Sequence, residues 1–262
     1  MIIDSHCHAG KGDGLTAPAD TDAPLGEYLR RAASAGIDRT VIFPAFNDDY
    51  RRANRDIARM VAACPHRLIG YAFIHSVNDA GRVEGMVTEA VSRLGLRGLK
   101  VHRHDGRITR EICQSACRHR LPVVYDVMGE VAGVELFARE YPDVNFIIPH
   151  LGSFADDWRA QLALIDHLQR HSNIFTDTAA VRRFDLLEQA VRRAGAHKVL
   201  FGSDGPWLHP AVELAKVKAL QVSAPDRALM LGGNLLRLLG PAPHAEAAAR
   251  TMRTSVHAGS YI

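Results

Sequence analysis

The chain opens Met1-Ile2-Ile3-Asp4-Ser5-His6-Cys7-His8, and the last four of these residues decide between two ways of building an α/β protein. Downstream, short apolar runs rich in Val, Ile and Phe alternate with longer segments of helical period. Such alternation implies parallel strands, because each crossover helix carries the chain back to the edge where the next strand begins. A parallel sheet either stays open and doubly wound or closes into a barrel. The open form is usually marked by a glycine-rich phosphate turn after its first strand. Ser5-His6-Cys7-His8 is a poor phosphate cradle.

Working outward from that segment, strands are expected at 1–4, 39–43, 68–74, 96–102, 122–127, 144–149, 173–177 and 198–203. Helices are expected near 24–36, 48–63, 79–94, 107–119, 130–141, 155–171, 181–194 and 210–221. The period is clearest where Val83, Met86, Val87, Ala90, Val91 and Leu94 fall three and four apart. Eight strand–helix units point to a single-domain (β/α)8 TIM barrel, and such a barrel needs about 250 residues, which the 262 residues here supply with little to spare. The barrel is assigned to residues 1–240. A further helix is read at 225–239, interrupted by Gly232-Gly233, and the Ala-, His- and Gly-rich segment 241–262 is read as a C-terminal tail.

Composition excludes several partners. A net charge of +3 with His neutral is too small to attract nucleic acid or an anionic membrane surface. No run approaches the ~18 uninterrupted apolar residues of a membrane span. The first residues lack the basic and apolar regions of a signal peptide, and Cys7, Cys64, Cys113 and Cys117 form neither a C-x-x-C pair nor a disulfide framework. A reducing cytoplasm is the default expectation. A small molecule is the expected partner, and whether barrels pair into a homo-oligomer is left open.

The fourteen histidines carry the functional reading. At a strand end side chains alternate, so Asp4, His6 and His8 are expected on one face. Two imidazoles two residues apart can share a divalent ion at metal–nitrogen distances of ~2.0–2.1 Å. H-x-H alone also fits a plain surface turn. In a barrel, however, the C-terminal ends of all strands converge on the active face, and ligand-type residues recur there: His150 after the sixth expected strand and Asp204 after the eighth. Each in isolation reads as a helix cap or a turn residue. Lys100 and His102, two apart on the fourth strand, should share the barrel interior. Lys100 suits a substrate carboxylate as a point charge, His102 is a substrate contact or a ligand, and Arg103 and His104 extend the anion site or are merely solvated; His75 joins them more weakly. Trp207 walls the pocket or packs a helix. His66, His119, His167, His171, His197, His209 and His257 are given no role.

The segments 4–8 (DSHCH), 95–102 (GLRGLKVH), 149–154 (PHLGSF), 173–180 (NIFTDTAA), 198–207 (KVLFGSDGPW) and 232–239 (GGNLLRLL) together resemble the amidohydrolase superfamily. The likeness is to the amidohydrolase-related branch of TIM-barrel metal-dependent hydrolases that includes aminocarboxymuconate-semialdehyde decarboxylase, and it spans nearly the whole chain in order. The resemblance implies that His6 and His8 ligate a metal, that Asp204 is both ligand and base for the activated water, and that His150 faces substrate or metal. It also implies a histidine ligand at the fifth strand, where this chain has Asp126. Aspartate can bind zinc through oxygen at ~2.0–2.2 Å, or the change can leave the metal weakly held. A divalent ion is therefore expected, zinc first and manganese second, with one ion or two left open. Carboxylated Lys100 bridging two metals is a further option.

Two reactions suit this constellation. One is hydrolysis of an amide, lactone or ester of a small carboxylate-bearing substrate by metal-activated water. The alternative is a lyase, a non-oxidative decarboxylase of a small carboxylic acid on the same site. A barrel that has lost catalysis is a third reading, supported by Asp126 alone.

Overall fold

The computed structural model describes residues 1–13 and 22–241; the expected tail, apart from Pro241, lies outside them, as does much of the loop after the first strand. The strands are β1 (Ile3–Lys11), β2 (Asp22–Ala23), β3 (Arg39–Pro44), β4 (Leu68–Gly70), β5 (Ala72–Phe73), β6 (Leu99–His102), β7 (Val123–Asp126), β8 (Phe146–Ile148), β9 (Ile174–Asp177) and β10 (Val199–Leu200). The eight principal helices are α1 (Leu25–Ser34), α2 (Tyr50–Ala63), α3 (Val83–Ser92), α4 (Arg110–His119), α5 (Val134–Glu140), α6 (Trp158–Arg170), α7 (Phe184–Ala194) and α8 (Pro210–Ala219). Several starts carry local capping signals: the side chains of Asp49, Thr109 and Asp157 accept backbone N–H groups at the first turns of α2, α4 and α6, and Pro210 opens α8.

Two parallel ladders make the barrel, β1-β3-β4 and β5-β6-β7-β8-β9-β10. The small β2 pairs antiparallel with the end of β1. The third barrel strand, expected as one run over 68–74, is split at Tyr71. Its N–H donates to Ile42 O at 2.9 Å, whereas the next N–H, on Ala72, donates to Gly98 O at 2.9 Å. One strand thus passes from one ladder to the other. Gly98 is needed there, because a Cβ would lie 2.4 Å from the Tyr71 ring. The last seam closes through Ser5 N–H to Phe201 O (2.9 Å), Asp204 N–H to His6 O (2.8 Å) and His8 N–H to Gly205 O (2.7 Å). The eighth strand is accordingly shorter than expected. Beyond Leu200 the chain bonds to Met230 and to β1 instead of to β9.

Strand alternation sorts two cores. Ile3, Val41, Phe43, Ile69, Tyr71, Val124, Ile147, Phe175 and Leu200 fill the barrel interior. They are closed from below by Leu235, Leu238 and Leu239 of α10 (Asn234–Leu239), which follows the short α9 (Ala224–Ala228) and a π-turn at Leu229–Gly233. Neighbours of opposite parity, such as Ile42, Val123, Tyr125, Phe146 and Ile148, face the helices. The same parity that sends Val124 inward sends Asp126 inward, and Lys100 with His102 follows. No helix among the described residues is long and apolar enough to cross a membrane.

Candidate active site

β1 delivers the first two site residues, with one departure from strict alternation. Its register against β3 shifts between Asp4 and Cys7, so His6 and His8 turn into the barrel mouth while Asp4 turns away. The Asp4 carboxylate is fully buried and accepts from Tyr28 OH at 2.5 Å, from His6 N–H at 3.0 Å and from Ser203 N–H at 2.9 Å, and it is also bonded to Ser203 Oγ. Burial outweighs these donors and pushes its pKa up to about 7. The expectation that Asp4 shares the metal-facing side is corrected: it pins β1 to the loop carrying Asp204.

His6 and His8 each have one ring nitrogen occupied. His6 Nδ1 lies 2.8 Å from Asp177 Oδ2, and His8 Nδ1 lies 3.0 Å from the carbonyl oxygen of Pro44. A carbonyl only accepts, so His8 carries its proton on Nδ1 and presents the Nε2 lone pair. Both Nε2 atoms face Asp204 Oδ1, at 3.3 Å from His6 and 3.7 Å from His8. Burial, reinforced by the Lys100 charge, lowers the pKa of His6 and holds that of His8 well below the ordinary imidazole value. Two neutral imidazoles and a carboxylate, with one ligand atom each inside 4.8 Å of the others, form a set of converging acceptors. That set fits a divalent cation, because acceptors at such separations repel unless a cation or protons lie among them.

A second cluster adjoins the first. Asp126 Oδ2 lies 3.1 Å from His102 Nε2 and 3.3 Å from His150 Nε2, and Asp126 Oδ1 accepts the Met128 N–H at 2.8 Å. His102 Nδ1 accepts the His104 N–H at 3.0 Å, which leaves its Nε2 to donate to Asp126. His150 Nδ1 faces the Ala179 carbonyl at 3.0 Å. With an acceptor at each nitrogen, the His150 ring satisfies both contacts only as an imidazolium. Burial opposes that charge, but the Asp126 hydrogen bond and charge, helped by Asp204 and Asp177, raise the pKa to about 9. Burial likewise opposes ionisation of Asp126, and the two histidines outweigh it and hold the carboxyl well below its usual range.

Lys100 joins the clusters. It is fully buried, its Nζ lies 3.5 Å from His6 Nε2 and 4.9 Å from the centre of the Phe43 ring, and burial lowers its pKa against the pull of Asp126 and Asp204. These groups floor a cavity of about 330 Å³ whose upper wall includes Phe46, Met128, Phe154, Trp207 and Leu208. A volume near the lower end of the ordinary ligand range suits a small molecule. The Trp207 ring centre lies 4.6 Å from that of His8, and its Nε1–H donates to Asp22 O at 3.1 Å.

Not every expected residue converges. Arg103 turns to Glu130 at 2.8 Å and does not line the cavity; the loop residue that does is His104. His75 Nδ1 accepts the N–H groups of Val77 and Asn78, and the residue serves a turn. Asp126 is engaged by His102 and His150, outside the group of His6, His8 and Asp204. Sequence reasoning missed Asp177, which sits at the end of β9 within the 173–180 segment; the rule that found His150 and Asp204, a polar residue at a strand end, applies to it equally. Several mouth residues hold left-handed backbone without being glycine: His150 (φ 58°), Leu151 (φ 52°), Ala180 (φ 56°) and Asp204 (φ 56°). Such conformations cost energy and cluster where geometry matters more than stability.

Against known families, residues 3–240 match the model described as amidohydrolase. The chain belongs to the amidohydrolase family. No curated protein matches it. Among solved structures, this amidohydrolase-family chain is similar to 5-carboxyvanillate decarboxylase from Sphingomonas paucimobilis, with a TM-score of 0.72 at 15% identity over 91% of this chain and 98% of that one. It is also similar to 2,6-dihydroxybenzoate decarboxylase from Rhizobium, with a TM-score of 0.71 at 16% identity over 91% and 98%. A third, dihydroxybenzoic acid decarboxylase from Polaromonas sp. JS666 with bound manganese and the inhibitor 2-nitroresorcinol, has a TM-score of 0.70 at 16% identity over 91% and 96%. At these identities the likeness establishes the TIM-barrel fold of the family.

Proposed function

We propose that this chain is a metal-dependent, non-oxidative decarboxylase of a small, flat carboxylic acid, with an aromatic hydroxy acid as the leading substrate class. The observation that carries the reading is His150, held between the Ala179 carbonyl and Asp126 so that it carries a proton at the floor of the cavity. Decarboxylation needs a proton delivered to carbon; hydrolysis of an ester or amide begins by taking one from water. The carboxylate-acting enzymes of similar fold support the same choice, as do the Phe46, Phe154 and Trp207 rings around the mouth.

His6, His8 and Asp204 would hold the divalent ion, which when bound supplies a positive centre that orients and polarises oxygen atoms of the substrate. Zinc suits the imidazole nitrogens, and manganese, bound in the Polaromonas enzyme, suits an oxygen-rich substrate. Lys100 contributes a second cation for the substrate's anionic groups. The bond between the substrate carbon and its carboxylate breaks, the electron pair stays on that carbon, and CO2 leaves. The His150 Nε2 proton then moves to the carbon, and the ring is reprotonated from solvent. Asp126 pairs with the imidazolium until its Nε2 proton leaves and again once the ring is reprotonated, and the burial of Lys100, Asp126 and His150 at the cavity floor strengthens these electrostatic contacts.

The hydrolase reading retains one supporting feature, the Asp204 carboxylate beside both Nε2 atoms, where it could accept a proton from water. The reactions are told apart by products. Chain loaded separately with manganese and zinc is offered ortho-hydroxybenzoates and, in parallel, lactones, esters and amides of the same acids. The expected result is CO2 release with one solvent deuterium appearing at the vacated carbon in D2O. Release of free acid or amine without CO2 would overturn the proposal and favour the hydrolase.

A further inference from the structure

The outer helical layer holds a second group of ligand-type side chains, away from the barrel mouth: Glu135 in the first turn of α5, His167 in the last turn of α6, and His171 immediately after α6. Each offers one ligand atom, and the three atoms lie within 4.8 Å of one another. Histidines four apart on a helical course project to the same side, and here that side faces α5. His171 Nε2 stands 3.7 Å from Glu135 Oε1, too far for a hydrogen bond. The His171 backbone N–H still donates to His167 O at 3.0 Å, which keeps the two rings in register; the ring centres are 5.9 Å apart.

Two imidazole nitrogens of this group of residues lack hydrogen-bond partners. His167 is 6% exposed, and its Nδ1 has no hydrogen-bond partner; His171 Nε2 is likewise buried without one. Buried polar atoms are nearly always satisfied, so a pair of orphan imidazole nitrogens beside a carboxylate marks a missing common partner. We propose that Glu135, His167 and His171 form a second metal site, selective for a borderline divalent cation such as zinc, that clasps α5 to the C-terminal end of α6. Two imidazoles and one carboxylate with a water in the fourth position is an established tetrahedral zinc set. Zinc–ligand bonds of ~2.0–2.1 Å place tetrahedral ligand atoms about 3.3 Å apart, so the group must contract modestly, and Glu135, the most exposed of the three, is free to supply that movement.

The surroundings bear on affinity. Arg139 shares Glu135 at 3.3 Å and must yield it; its side chain is 72% exposed, so it can swing into water. Arg170 turns its Nε to Asp166 O, and Lys198 Nζ is occupied by the carbonyls of His171, Ser172 and Ile174. The backbone around the site is fixed by Asn173, whose Nδ2 donates to the carbonyls of Ala138, Tyr141 and Val144. These bonds already join the end of α5 to the end of α6, so the metal would add to a corner that is positioned to receive it.

The test is zinc uptake by the full chain with His6 and His8 intact, measured by atomic emission after dialysis against buffered free zinc. Wild type should hold one more zinc per chain than His167→Gln/His171→Gln, and equal uptake overturns the site. Should the double variant not fold, Glu135→Gln decides: a tenfold or greater weakening of one zinc equivalent is expected, and an unchanged titration overturns the proposal. Because the mouth residues are the same in every chain compared, failure of the decarboxylase reading leaves this outcome untouched.

Discussion

Asp126 is the residue at which likeness to a family and the local geometry pull in different directions. The resemblance implies a metal ligand at that strand end, whereas the structure surrounds its carboxylate with His102, His150 and the Met128 N–H. Asp126→Asn should therefore leave the metal content of the mouth unchanged while kcat falls about 10²-fold or more, the range typical of a lost general acid. Metal analysis beside steady-state rates decides it; a matching loss of metal would return Asp126 to the ligand set. The complementary variant, His6→Ala with His8→Ala, should stay folded, bind no metal at the mouth and show no turnover. Circular dichroism, metal analysis and the CO2 assay check the three parts of that expectation. His6, His8, His150, Asp204, Lys100 and His102 were legible in the sequence as polar residues at strand ends, whereas Asp177, which obeys the same rule at the end of β9, was passed over. Phe46, Phe154 and Leu208 were not legible, because they come from loops whose course depends on tertiary packing and which show no period.

At the scale of elements, all eight barrel strands and their helices were readable from alternation, but their ends were not. Periodicity reports which face is buried and says nothing of where a strand changes its hydrogen-bond partner. That is why 68–74 reads as one strand while Tyr71 divides it, and why 198–203 reads as six residues while only Val199 and Leu200 pair with β9. The bulge in β1 escaped for the same reason, and with it the outward turn of Asp4. Lys198, just before β10, gives this scale its own prediction. Burial lowers its pKa to about 8, so between about pH 8 and the ordinary lysine value the unfolded chain binds the proton more readily than the folded one. Stability from this group should then rise with pH across that window. Denaturant unfolding at several pH values should show a smaller upward slope in Lys198→Met than in wild type; identical slopes would refute the assignment.

For the whole molecule, the seam between β1 and the segment after β10 is also where the proposed metal group of His6, His8 and Asp204 comes together. Asp204 N–H bonds to His6 O, and His8 N–H bonds to Gly205 O, so opening that seam separates the ligands. Any ion bound there opposes global unfolding in full, by RT ln(1 + [L]/Kd), which is about 2.7 kcal/mol at a hundredfold excess over Kd. Manganese should therefore raise the Tm of wild type by several degrees, with a much smaller rise in the His6→Ala/His8→Ala variant. Calorimetry with and without chelator reads this directly.

The seam also sets an order of events during synthesis. A ribosome that has released the opening imidazoles has made only part of a grip, since the third donor is encoded almost two hundred codons later. Until that carboxylate emerges and the barrel shuts, a nascent chain offers no three-point hold on an ion, and cargo arriving early has little to keep it. With the proposed ligand set, loading would thus be a property of the closed barrel, and a chain truncated before Asp204 would lack the third donor.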